Sequence, residues 1–102
     1  MVLLLVSWLE TGGFADTGKN GVVNGMGAFE EYCAECHPQG GNIANPLKTL
    51  GRKDREANGI RTAADIVAKM RNPGPGMTRF DDTTLSAAKA GAIAEYVLKT
   101  FR

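Results

Sequence analysis

Two cysteines and one histidine stand together as Cys33-Ala34-Glu35-Cys36-His37. On a turn of helix, residues i, i+3 and i+4 share a face, so this spacing turns two sulfurs and an imidazole the same way. A Cys-x-x-Cys-His run is the spacing of covalent haem attachment. The two sulfurs form thioethers with the vinyl edges of one porphyrin, and the imidazole beneath reaches the iron. His37 is the only histidine in the chain, so it has no rival as proximal ligand. Three other chemistries use such residues. A thioredoxin-like dithiol needs a βαβ setting, and none surrounds this one. A zinc site needs four ligands, and these residues supply three. A disulfide across two intervening residues is geometrically strained and leaves His37 without a role.

A methionine opposite the histidine raises the reduction potential of a haem and suits electron transfer. The chain offers Met1, Met26, Met70 and Met77. Met26 lies seven residues before Cys33, on the helix that leads to it, and reaches the opposite haem face poorly. Met70 falls on the apolar side of a predicted helix, where methionine more often fills core space. Met77 ends the run Pro73-Gly74-Pro75-Gly76, a loop stiffened by its prolines, and is the candidate second ligand; Met70 and an open position are the alternatives.

The elements that must hold these residues are helices. The first is predicted over residues 25–36, capped by Asn24, with Phe29, Cys33 and Cys36/His37 along one face. Pro38-Gln39-Gly40-Gly41-Asn42 is turn chemistry. A short helix is expected over residues 52–58, ended by Gly59. A third starts at Thr62 with Asp65 three residues on, as in a capping box, and stops at Asn72 because Pro73 pushes its predecessor out of the helical region. The last runs from residues 84–86 to Phe101, with Leu85, Ile93, Tyr96, Val97 and Phe101 as its apolar stripe. Little alternates with the period of a strand. The fold class is therefore all-α: three to four helices and long loops wrapped around one bulky ligand. Thirteen glycines and four prolines in 102 residues fit that loop content, and a unit of about 80 residues commonly needs such a staple.

The domain reading is residues 25–102 as the working unit and residues 1–24 as the remnant of an export segment or a flexible leader. Val2 to Leu9 is apolar, but no Lys or Arg precedes it, as an export signal would have, and eight residues are too few to span a bilayer. A short N-terminal element packed on the domain is the alternative. The net charge of +1 gives no reason to expect a nucleic-acid partner. The charge is unevenly spread: residues 10–36 carry a net −4 and residues 48–71 a net +4. Such a dipole can orient a molecule against a partner, and equally describes solvated helix faces.

With these residues placed, the sequence resembles a class I monohaem c-type cytochrome. It is most similar to the cytochrome c6 subgroup and to the small cytochromes that metal-respiring bacteria export. The resemblance covers residue 25 to the end and rests on Gly25 and Phe29 before the first cysteine, Pro46-Leu47-Lys48-Thr49-Leu50, residues 72–77, and Glu95-Tyr96-Val97-Leu98. It implies that Gly25 lets the first helix cross the last closely against Tyr96, and that a carbonyl around Pro46 accepts from Nδ1 of His37, the usual restraint on a ligating histidine. It also implies that Lys48 lies near a haem propionate and that Leu50 packs on the ring. The chain departs from the family at Met77-Thr78-Arg79-Phe80, where Met-Pro-Ala-Phe is frequent; the lost proline loosens the loop and Arg79 brings a charge to the haem crevice.

The function expected is one-electron transfer through a low-spin haem held by His37 and Met77, with no catalytic acid or base and hence no enzyme. The alternative is a haem enzyme or gas sensor with an open axial position, for which Arg79 is the sole distal polar candidate. The expected partners are redox proteins or a membrane-associated respiratory complex, the expected state a monomer, and the expected place the periplasm or outer surface.

Overall fold

Asn24 opens the first helix by accepting a hydrogen bond from the Gly27 N–H, 3.0 Å away, which satisfies one of the donors every helix start leaves free. The computed structural model describes residues 24–102, so the reading of residues 1–24 lies, apart from Asn24, outside the described residues. Four α-helices follow: α1 Gly25–Tyr32, α2 Arg52–Ala57, α3 Ala63–Arg71 and α4 Ala87–Thr100, with a 3-10 turn at Pro38–Gly40. No strand occurs among the described residues.

α3 begins as its sequence demands. Thr62 caps the Asp65 N–H, and the Asp65 carboxylate reaches back to the N–H groups of Arg61 and Thr62 at 2.9 and 3.0 Å. Those two donors, Arg61 first, hold the Asp65 carboxyl below the usual carboxylate range. The cap therefore strengthens folding above the unfolded carboxyl's pKa and fades as pH falls through the lowered folded one. α4 is capped by Ser86 on Lys89 N–H. Leu85 before that cap and Ala90 four residues into the helix are both fully buried, the pairing of a hydrophobic staple.

α1 and α3 both pack on α4. The core is Ala28, Phe29, Ile66, Met70, Leu85, Ala90, Ile93, Ala94 and Val97. Phe29 stands at its centre, with its ring centroid 5.4 Å from those of both Tyr96 and Phe101, within the range where tilted aromatic pairs add to simple burial. The crossing of α1 and α4 depends on Gly25. A Cβ built there would collide with the Ala92 carbonyl oxygen and sit 3.1 Å from the Tyr96 Cβ, so the close approach implied by the resemblance is present.

The first helix is shorter than the expected span to residue 36. Cys33 N–H and Ala34 N–H both donate to the Phe29 carbonyl, at 2.8 and 3.0 Å. The shared acceptor breaks the i→i−4 register after Tyr32. A separate turn then forms, in which Cys36 N–H and His37 N–H both donate to the Cys33 carbonyl, at 3.2 and 3.0 Å. The i, i+3, i+4 face survives on this turn rather than on α1 itself.

Candidate functional site

The turn over residues 33–37 sets the two thiols and the imidazole. Cys33 is half-buried, packed beside the core, and Cys36 is exposed. Burial pushes the Cys33 thiol up to about 11, so as a free thiol this sulfur stays uncharged near neutral pH. His37 Nδ1 lies 2.7 Å from the Gly41 carbonyl oxygen. A carbonyl only accepts, so in the neutral ring Nδ1 carries the proton and Nε2 is left as the free lone pair.

That contact corrects one implied role. The acceptor for His37 is Gly41, not a carbonyl around Pro46, because the chain turns back immediately after the histidine. Gln39 and Gly40 both take the left-handed conformation, with φ of 54° and 83°, and Gly40 N–H donates to the His37 carbonyl. Gly40 is buried, and a Cβ there would run into the Phe101 ring, so glycine is required twice over. Pro46 is exposed, in a loop organised by Asn42. The Asn42 Oδ1 accepts from Ala44 and Asn45 N–H, and its Nδ2 donates to the Lys48 carbonyl, all at 2.9 Å. Lys48 is exposed, and Leu50 packs against the core while its N–H donates to the Gly40 carbonyl at 2.7 Å.

Met77 and Met70 occupy different surroundings. Met70 is 4% exposed inside the core, whereas Met77 is 37% exposed on the loop after α3. That loop is fastened to the last turn of α3. Phe80 N–H donates to the Met70 carbonyl at 2.9 Å, and Arg71 Nη1 donates to the carbonyls of Phe80 and Leu85 at 3.2 and 2.7 Å. Arg79 donates through Nε to the Arg71 carbonyl at 3.0 Å. The charge of Arg79 is therefore drawn onto α3, where its guanidinium ties the loop that the missing proline would otherwise loosen. Replacing Arg71 by Gln is expected to cost about 2 kcal/mol, the usual loss for charged hydrogen bonds to partly buried carbonyls. Its thermal midpoint should fall by several degrees, and an unchanged midpoint would show that the clamp carries no weight.

These residues suit a haem. Among the described residues no three His, Cys, Asp or Glu side chains converge as a metal-holding group, so the zinc reading lacks its ligands there. What the described residues offer instead is two sulfurs and an imidazole on one turn, with Nδ1 of the imidazole engaged, and a methionine exposed on the loop after α3. Of the four exposed large apolar side chains among the described residues, Ile43, Leu47 and Met77 lie on the loops that follow His37 and α3. Those loops meet, since a Cβ on Gly76 would lie 3.9 Å from that of Ala44.

Known proteins place the chain. Residues 16–97 match the family described as cytochrome c oxidase, cbb3-type, subunit III. Cytochrome c6 of Synechococcus sp. (strain ATCC 27167 / PCC 6312) is 33% identical over 97 residues, 95% of this chain and 82% of that protein. Cytochrome c6 of Rippkaea orientalis is 38% identical over 74 residues; the match spans 72% of this chain and 66% of that protein, just under two thirds of its length. OmcF, an outer membrane cytochrome F from Geobacter sulfurreducens, superimposes with a TM-score of 0.76 at 52% identity, covering 78% of this chain and 100% of that one. Cytochrome c6C from Synechococcus sp. PCC 7002 gives 0.70 at 30% identity, over 76% and 93% of the two chains. The chain belongs to this family, as a small class I c-type cytochrome of the c6 kind. It is a haem protein of electron transfer and carries one covalent haem c.

The sequence did not reveal Gly41, Arg55 or Arg71. A backbone acceptor has no side-chain signal, and the two arginines look like any solvated cation on a charged helix. Asn42 was visible only as turn chemistry, although its spacing from Asn45 suits an Asx turn.

Proposed function

We propose that residues 25–102 form a one-electron carrier in which Cys33 and Cys36 would hold the haem by thioethers and His37 Nε2 and Met77 Sδ would bind its iron. When bound, the haem supplies a metal that cycles between two oxidation states one electron apart. The protein's part is to hold ligands still and keep the ring in apolar surroundings. Gly41 fixes the His37 tautomer and ring orientation. Arg71 and Arg79 hold the Met77 loop against α3, and Leu50, Ile43 and Leu47 supply apolar cover. No proton needs to move at any of these atoms. Arg79, the one distal polar candidate for an open-site enzyme or sensor, is engaged at the Arg71 carbonyl, which supports the carrier and not the enzyme. Lys48, exposed on the loop organised by Asn42, is available to a propionate.

The observation that carries this reading is the Cys33–His37 turn with Nδ1 pinned to Gly41. The reading extends to export to the periplasm or outer surface, where thioether attachment generally takes place, with residues 1–24 as the leader. The proposed partners are redox proteins, met as a monomer or at a membrane-associated complex; among the described residues no helix is long and apolar enough to cross a membrane. Optical spectra of oxidised and reduced protein, with the denatured pyridine haemochrome, test the assignment. A c-type haemochrome with a weak methionine-to-iron band in the red is the expected result. A high-spin spectrum that responds to carbon monoxide would replace the carrier by the open-site reading. Changing both Cys33 and Cys36 to Ala should remove the haem-stained band from a denaturing gel, and a band that persists would show that neither thiol is needed for attachment.

A further inference from the structure

α2 and the C-terminal turn border a cavity of about 350 Å³ lined by Arg52, Arg55, Glu56, Arg61, Leu98 and Arg102. The lining thus carries four arginines and one glutamate, and Arg102 Nε donates to the Lys99 carbonyl at 3.1 Å. Arg52 pairs with Glu56, Nε to Oε2 at 3.0 Å, and this is the only ion pair among the described residues. Arg55, Arg61 and Arg102 therefore have no carboxylate partner there. Arg55 is the unusual member, because it is 5% exposed. Its Nε donates to the Leu50 carbonyl at 2.7 Å and its Nη2 to the Phe101 carbonyl at 3.0 Å. A guanidinium has five N–H donors, so these two bonds fix its position and leave donors over. A buried cation without a counter-charge is expensive, and the cavity is where a counter-charge can reach it. In keeping with these neighbours, Glu56 is held below its ordinary range chiefly by Arg52, and further by Arg61 and Arg55.

We propose that this cavity binds a phosphate group. The planar guanidinium fork matches two phosphate oxygens at once, which a point charge cannot do. A phosphate dianion balances two of the three cations that lack a partner and a phosphodiester balances one, and the cavity leaves room for a group esterified to it. Free inorganic phosphate and the headgroup of an anionic phospholipid share this chemistry. The site includes none of Cys33, Cys36, His37 and Met77.

The test is calorimetric titration of the intact haem protein with sodium phosphate against sodium chloride at equal ionic strength, alongside its thermal midpoint. Phosphate should release binding heat and raise the midpoint with concentration, as any ligand of the folded state does. Arg61→Gln with Arg102→Gln, both exposed and outside the haem machinery, should abolish both effects while the spectrum stays unchanged. Glu56→Gln, which removes the one carboxylate, should tighten binding by roughly fivefold, a typical rim-charge effect. A lone structural role for these residues would not produce that increase. Sedimentation with phosphatidylglycerol against phosphatidylcholine vesicles then separates the sources. Pelleting with the first alone, lost in the double variant, assigns a lipid headgroup; phosphate binding without pelleting assigns the free ion. Equal responses to phosphate and chloride, or a double variant that binds as well as the parent, would overturn the proposal.

Discussion

Met77→Ala should leave the haem attached, abolish the methionine-to-iron band, and lower the reduction potential by on the order of 0.1 V or more. Axial ligation moves haem potentials over about 0.8 V, and a thioether favours the reduced state. The attachment turn lies in another segment, so Cys33, Cys36 and His37 keep their geometry when Met77 is removed. The iron then becomes open to carbon monoxide. The contrast with Met70→Ala separates the two candidates. Met70 is buried beside Ile66 in the core, so its truncation should cost about 2–5 kcal/mol as a cavity and leave the red band in place. A native spectrum and potential for Met77→Ala would remove it as ligand. Loss of the band in Met70→Ala with a folded protein would transfer the role there.

The second large effect belongs to Gly25→Ala. The added methyl group has no free volume, because the Ala92 carbonyl oxygen and the Tyr96 Cβ already occupy it. Neither obstacle is the end of a flexible side chain, so α1 must move away from α4. Alanine is the better helix former by about 1 kcal/mol in a helix interior and by less at the first position of α1, where Gly25 stands. Here overpacking opposes it and is expected to win, with a net loss of about 2–3 kcal/mol. For a domain of this size each kcal/mol shifts the thermal midpoint by about 4–8 °C, so a fall of about 10 °C or more is expected by circular dichroism. A midpoint equal to or above the parent's would show that the crossing has slack.

The helices were largely legible in the sequence because their ends carry chemical marks. Asn24, Thr62 with Asp65, and Ser86 each cap the helix they precede, and Gly59 takes the positive φ, 77°, expected after α2. The end of α1 was not legible. Nothing in Tyr32-Cys33-Ala34 announces that two N–H groups will share the Phe29 carbonyl. The apolar stripe of α4 was read from its large side chains, and Ala90 and Ala94, fully buried, were passed over because alanine is at home on either face of a helix. At the site, the residue types of the attachment turn were plain, and its support was not. Support comes from backbone carbonyls at Gly41, Leu50 and Phe101, and which carbonyl a side chain finds is a property of the folded chain. Arg55 shows this best: its sequence neighbours Asp54 and Glu56 suggest a surface charge cluster, while its own side chain turns inward to join Leu50 and Phe101, 46 positions apart from the latter.

The fastening of the methionine loop also sets how this molecule can open. Contacts from Met70 and Arg71 to Phe80 and Leu85 bind both ends of the segment to one helical turn. The segment that carries Met77 is therefore tied to the last turn of α3 at Arg79, Phe80 and Leu85. Proteins open in cooperative units whose members share their hydrogen bonds, and here the unit is the last turn of α3 together with residues 72–85. Amide protons of that turn and of the loop should then exchange with solvent at a common rate, and any departure of Met77 should require α3 to fray first.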